Sequence, residues 1–194
     1  MNNLKEFISI RARALIMRFW KGLVIKIYQW RITKYNPENR DKNDVYKKNE
    51  WTSVSDIGKK FENNEFTFEK YLFYENAYIG AIINIIRENN VEMFKIDTLE
   101  KYEYINYNDF SELESKKYFK SLRKDMLIPK QKIKQVAQFA LRNIIWCRLV
   151  SEEMFIHFGY DYYMYIGSTR LSEETLKKIK NNQLFVEERI SPYI

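Results

Sequence analysis

Chemistry in this chain would have to begin with very few groups. His157 is the only histidine and Cys147 the only cysteine among 194 residues. A Ser–His or Cys–His dyad would have to use that one imidazole. A zinc site would have to be completed by carboxylates, so none is expected. His157 sits between Ile156 and Phe158 in a strand-like run. A satisfied, partly buried imidazole is the expectation there, and an inert core thiol at Cys147. Neither GxGxxG nor GxxxxGK[ST] occurs, so no phosphate-cradling loop and no cofactor is expected. The acid pairs Glu152-Glu153, Glu173-Glu174 and Glu187-Glu188 read as solvated strand ends and a helix start. Neighbouring acids in a strand point to opposite faces and cannot share a substrate. These features make an enzyme the weaker reading.

Two features break the pattern. Glu75 lies inside an apolar helical stripe, where a carboxylate is costly unless paired. It should meet Arg142, Arg148 or Tyr163 inside the protein, or serve as a specificity contact on a binding face. The second is HFGYDYYMYIGS at 157–168, with four tyrosines around Asp161. If EMFIHF and YYMYIG pair through a turn at 159–161, Met154, Ile156 and Phe158 share a face with Tyr162, Met164 and Ile166. Phe155 and His157 then share the other with Tyr163 and Tyr165. That second face suits a protein interface, unless another part of the chain covers it. Tyr160 and Asp161 in the turn are exposed under either reading. The candidate partner-binding residues are therefore Tyr160, Asp161, Tyr163 and Tyr165, with Glu75 behind them.

The elements that must position these residues follow from periodicity. Phe68, Leu72, Glu75, Ile79, Ile82 and Ile86 lie on one face of a helix that Thr67 caps and Asn89-Asn90 ends. Ser53 or Ser55 caps a short helix that Gly58 ends. VEMFKIDTLEKY at 91–102 alternates as a strand. SELE at 111–114 has capping-box spacing and starts a helix reaching about Met126. Pro129 falls at the first turn of the next helix, whose apolar face is Ile133, Val136, Ala137, Ala140, Leu141 and Ile144. WCRLVS, EMFIHF and YYMYIG read as three strands, LSEETLKKIKNN as a helix capped by Ser172, and LFVEER as a closing strand. The order predicts an α+β fold: a mainly antiparallel sheet with helices packed on one face.

Charge divides the chain. Residues 1–34 hold eight of the 33 basic side chains and one of the 26 acids; the other residues carry 25 of each, so the formal +7 belongs to the first segment. A neutral body argues against nucleic-acid binding. Residues 1–34 read as a basic apolar helical segment, packed on the body, mediating self-association, or lying on a membrane surface with Trp20 and Trp30 at headgroup depth. No uncharged stretch there is long enough to span a bilayer. Residues 35–50 read as a linker or long loop, and 51–194 as the α+β domain. The single cysteine suits a cytoplasmic setting, at the inner face of the membrane if the basic segment docks there.

WTSVSDIG (51–58), EKYLFYENAYIGAI (69–82), LRNIIWCRL (141–149) and FIHFGYDYYMYIG (155–167) together resemble a family of small immunity proteins. These are encoded beside bacterial polymorphic toxins, including contact-dependent inhibition systems. The resemblance covers about residues 51–190 and leaves out the basic first 34. It implies a cytoplasmic, non-catalytic protein that binds the toxic C-terminal domain of a cognate secreted effector and neutralises it.

Overall fold

A computed structural model of the chain describes residues 15–20, 23–102 and 113–193. Ten strands are described in chain order: β1 (Leu15–Trp20), β2 (Leu23–Thr33), β3 (Lys60–Phe61), β4 (Asn64–Glu65), β5 (Met93–Lys101), β6 (Leu127–Pro129), β7 (Ile145–Val150), β8 (Met154–Phe158), β9 (Met164–Ser168) and β10 (Phe185–Glu188). Four helices accompany them: α1 (Phe68–Glu88), α2 (Leu113–Ser121), α3 (Lys130–Leu141) and α4 (Glu173–Asn181). The main sheet runs β1-β2-β9-β8-β7-β5-β6, and β10 joins it by pairing with β2. Every described pairing is antiparallel. The fold is α+β, as expected.

The helix ends obey their capping signals. Thr67 accepts a hydrogen bond from the Lys70 amide, Ser172 from the Thr175 amide, and Ser53 caps a short 3-10 turn at Val54–Asp56. Gly58 follows that turn in the left-handed region, φ 88°. Burial along α1 is centred one step away from the expected stripe. Tyr71, Glu75, Tyr78, Ile82 and Ile85 are buried, whereas Phe68 is exposed. The expected apolar face of α3 is buried throughout. The capping box at 111–114 begins outside the described residues. The helix that follows stops at Ser121 rather than near Met126, because Asp125 turns left-handed (φ 62°) and its amide bonds back to the Ile96 carbonyl at the edge of β5.

The expected helix over residues 1–34 is corrected where it is described: residues 15–20 and 23–33 are strands. Basic side chains scattered around a helical wheel are natural in a period of two. Along β2, Ile27, Gln29 and Arg31 face away from the helices, while Ile32 joins the core beneath them. Strand β2 pairs with β9 from Tyr28↔Ser168 to Ile32↔Met164, and with β10 from Trp30↔Glu188 to Thr33↔Phe185. Sheet and core thus run across the junction expected near Trp51. Residues 34–50 form the expected loop, but a packed one. Lys34 and Tyr35 are buried, and Arg40 bridges to Tyr46.

One core joins buried residues of α1, α3 and α4 to Leu149, Met154, Ile156, Phe158, Met164 and Ile166 of the sheet. On the opposite face lie Phe155, His157 and Arg148, closed by the last residues of the chain. His157 Nδ1 is 2.7 Å from Ser191 Oγ, and the Ser191 amide donates to Gln29 Oε1 at 3.0 Å. Gly167 permits this packing, since a Cβ there would fall 2.0 Å from the Phe155 ring.

Candidate functional site

The β8–β9 hairpin has the register read from its alternation: Ile156↔Ile166, His157↔Tyr165 and Phe158↔Met164. Its turn is unusual. The Gly159 amide donates to the Tyr163 carbonyl at 2.7 Å, and the Tyr163 amide to the Tyr160 carbonyl at 3.0 Å. Between them Asp161 and Tyr162 are both left-handed, φ 53° and 62°. Aspartate tolerates that region; for a bulky residue such as tyrosine it costs on the order of 1–2 kcal/mol. Gly159 cannot carry a side chain, because a Cβ would lie 2.3 Å from the Tyr163 carbonyl oxygen.

Buried contacts of Tyr162 hold this conformation. Its hydroxyl donates to the Leu141 carbonyl at 2.8 Å, and its ring meets Trp51 edge-on with centroids 4.7 Å apart. Its carbonyl accepts from the Tyr78 hydroxyl at 2.6 Å, while the Lys34 amide donates to that same hydroxyl at 2.8 Å. The turn is thereby tied to α1, to the end of α3 and to the end of β2. Tyr160 is pushed outward, with 67% of its surface exposed, and Asp161 is exposed beside it. The Asp161 carboxylate makes no hydrogen bond or ion pair with any described residue.

Beneath the turn a cleft of about 280 Å³ opens at one end of the sheet, where β7 and β9 begin, β8 ends and α3 terminates. Tyr102, Trp146, Tyr160 and Tyr163 give it aromatic walls, and Ser53 and Asn143 supply polar groups. Asp161 is the one acid on the lining, and no Lys, Arg or His lies there among the described residues. Trp146 has a buried indole N–H with no hydrogen-bond acceptor among them.

Glu75 is 1% exposed and cannot contact a partner, which corrects its place on a binding face. The internal pairing is the one observed. Arg142 grips it through two bonds of 2.6 and 2.7 Å, the Tyr71 hydroxyl donates at 2.9 Å, and Gln138 Nε2 lies 3.4 Å away. Burial, together with the neighbouring Tyr162 and the Glu75 carboxylate, pushes the Tyr71 phenol well above its ordinary range. The pair joins α1 to the end of α3, one residue from the carbonyl that holds Tyr162.

Tyr163 and Tyr165 are half-buried. The Tyr163 ring lies 5.2 Å from Tyr35, with the Arg31 and Arg40 guanidinium carbons 5.0 and 5.9 Å from its centre. Tyr165 packs edge-on against Tyr193 at 6.0 Å. The aromatic face is covered by residues 34–50 and by the end of the chain. Of the candidate partner-binding residues, Tyr160, Asp161 and Tyr163 line the cleft and Tyr165 does not. Glu187, expected to be solvated, instead accepts from Arg31 at 3.1 Å and Arg40 at 2.5 Å.

Three features escaped sequence reasoning. Tyr78 falls outside the stripe read for its helix, Trp146 reads as a strand residue, and Lys34 as the end of a basic run. Lys34 in fact sits 3.8 and 4.3 Å from the centres of the Tyr35 and Trp51 rings, with Glu50 at 3.2 Å. Burial lowers its pKa to about 8 despite the opposing pull of Glu50. Cys147 is buried, and burial raises its thiol to about 12, as befits a core residue. Among the described residues no helix is long and apolar enough to cross a membrane, and no cluster of three or more His, Cys, Asp or Glu is placed to hold a metal.

Comparison with protein-family models, with curated proteins and with solved structures gives no match.

Proposed function

We propose that the protein is a non-catalytic, cytoplasmic immunity protein that binds the toxic C-terminal domain of a cognate secreted effector through the β8–β9 turn and its cleft. The observation that carries this reading is the Tyr160–Asp161 pair, presented outward by a turn in which two consecutive left-handed residues are fixed by buried bonds. Strain held in place by surrounding structure is a recurrent property of recognition sites. A tyrosine and a carboxylate on a rigid mount also bind with little loss of freedom. The resemblance of the 141–149 and 155–167 motifs to immunity proteins gives the class of partner, and both motifs contribute to the cleft.

The test is co-expression. The toxic domain encoded beside this gene is induced in cells with and without the protein. Survival only in its presence, with co-purification of the two chains, is the expected result. Death in both cases removes the proposal.

A further inference from the structure

We infer that the cleft beneath the β8–β9 turn is a receptor for a single arginine side chain, carried by the partner protein. This rests on the cleft being the recognition site and goes further by naming what enters it.

Size comes first. Small-molecule and cofactor pockets occupy roughly 300–1,000 Å³, and this cleft, at about 280 Å³ and open on one side, is the right scale for one long side chain. The lining then selects the charge. Asp161 is the one charged side chain on the lining, exposed and without an ion pair; the buried Lys34 ammonium lies within electrostatic reach behind it but makes no contact with it. Leu141 and Asn143 bring the C-terminal end of the twelve-residue α3 to the same place, where helix carbonyls favour positive charge.

Geometry favours guanidinium over ammonium. Tyr102, Trp146 and Tyr160 line the cleft with aromatic rings, on which a flat guanidinium stacks and against which cations are attracted, as Arg31 already is against Tyr163 at 5.0 Å. The forked donors of an inserted guanidinium match a carboxylate at Asp161, with the Asn143 amide oxygen as a further acceptor, the Asn143 Nδ2 being held by Ser53 Oγ at 3.2 Å.

The experiment needs no toxin. The full chain is titrated with N-acetyl-arginine methylamide and with its neutral isostere, N-acetyl-citrulline methylamide. The Trp146 indole resonance, assigned by its loss in Trp146→Phe, is followed by NMR. The arginine probe is expected to shift it saturably and the citrulline probe to leave it nearly unmoved. Asp161→Asn, which keeps a residue tolerant of the left-handed conformation, should weaken the arginine response about fivefold or more. Equal responses to both probes, no response to arginine, or indifference to Asp161→Asn would each overturn the assignment. A lysine probe that binds more tightly than arginine would overturn the choice of guanidinium. Failed cellular rescue with an intact arginine response would remove the neutralisation reading and leave the receptor standing.

Discussion

The Tyr78 hydroxyl donates to the Tyr162 carbonyl and accepts from the Lys34 amide, so one oxygen in the middle of α1 joins the β8–β9 turn to the end of β2. Both partners are main-chain groups in a buried setting. Tyr78→Phe preserves the packing and strands both of them. Each buried unsatisfied group costs about 1–3 kcal/mol, so urea denaturation should show a loss of roughly 2–4 kcal/mol. A loss below about 0.5 kcal/mol would mean that water replaces the hydroxyl without penalty.

The Glu75–Arg142 clamp predicts an asymmetry. Glu75→Leu leaves a guanidinium without its partner, but Arg142 is 30% exposed and can turn toward solvent. The expected cost is about 2–3 kcal/mol, below the full penalty of breaking a buried pair. Adding Arg142→Met should restore part of it. Strictly additive losses in the double-mutant cycle would show that the two residues are energetically independent.

Lys34 predicts a pH dependence of stability. Its folded pKa is about 8 against an ordinary 10.5. Within that window the unfolded chain holds a proton that the folded chain has released, so stability rises with pH, by about 3–3.5 kcal/mol over the whole window. The buried Cys147 thiol opposes this above its ordinary 9.0, and the buried phenols of Tyr71 and Tyr78 above their ordinary 10.0, because in each case the unfolded chain ionises first. The rise should therefore be read between roughly pH 7.5 and 8.5. Lys34→Met should flatten it; an unchanged slope would assign the titration to another group.

The turn itself predicts a split between stability and binding. Gly159→Ala drives a methyl against the Tyr163 carbonyl and should destabilise by about 1–3 kcal/mol. Tyr160→Ala removes an exposed ring and should change stability by less than about 0.5 kcal/mol while weakening capture of the partner. Thermal melts and affinity measurements on the same variants check both halves. Loss of binding in neither would place the interface elsewhere.

Much of this architecture was legible in the sequence because its signals are local. Thr67, Ser172 and Ser53 cap the elements their positions announced, and alternation alone sorted the two faces of the β8–β9 hairpin. What was not legible depends on partners far along the chain. Tyr163 and Tyr165 look like a free aromatic face until Tyr35 and Tyr193 come to lie against them. Residues 23–33 read as a helix because apolar side chains fall on both faces of a strand whose neighbours come from the far end of the sequence. The cleft was half visible. Tyr160 and Asp161 announce a turn, but Trp146, Asn143 and Ser53 converge on it only through the fold.

That placement of β2 also governs how the protein comes into being. During synthesis β1 and β2 leave the ribosome more than 120 residues before β9 and β10, the strands that complete β2 on either side. A nascent chain therefore carries an incompletely paired strand, open to wrong partners, through most of its translation. The β8–β9 turn, whose Tyr162 carbonyl is anchored by Tyr78 beside the end of that strand, forms only after β9 has been made. Closure of the sheet around β2 is therefore a late event that must join strands far apart in sequence, the kind of pairing that sets a slow folding rate.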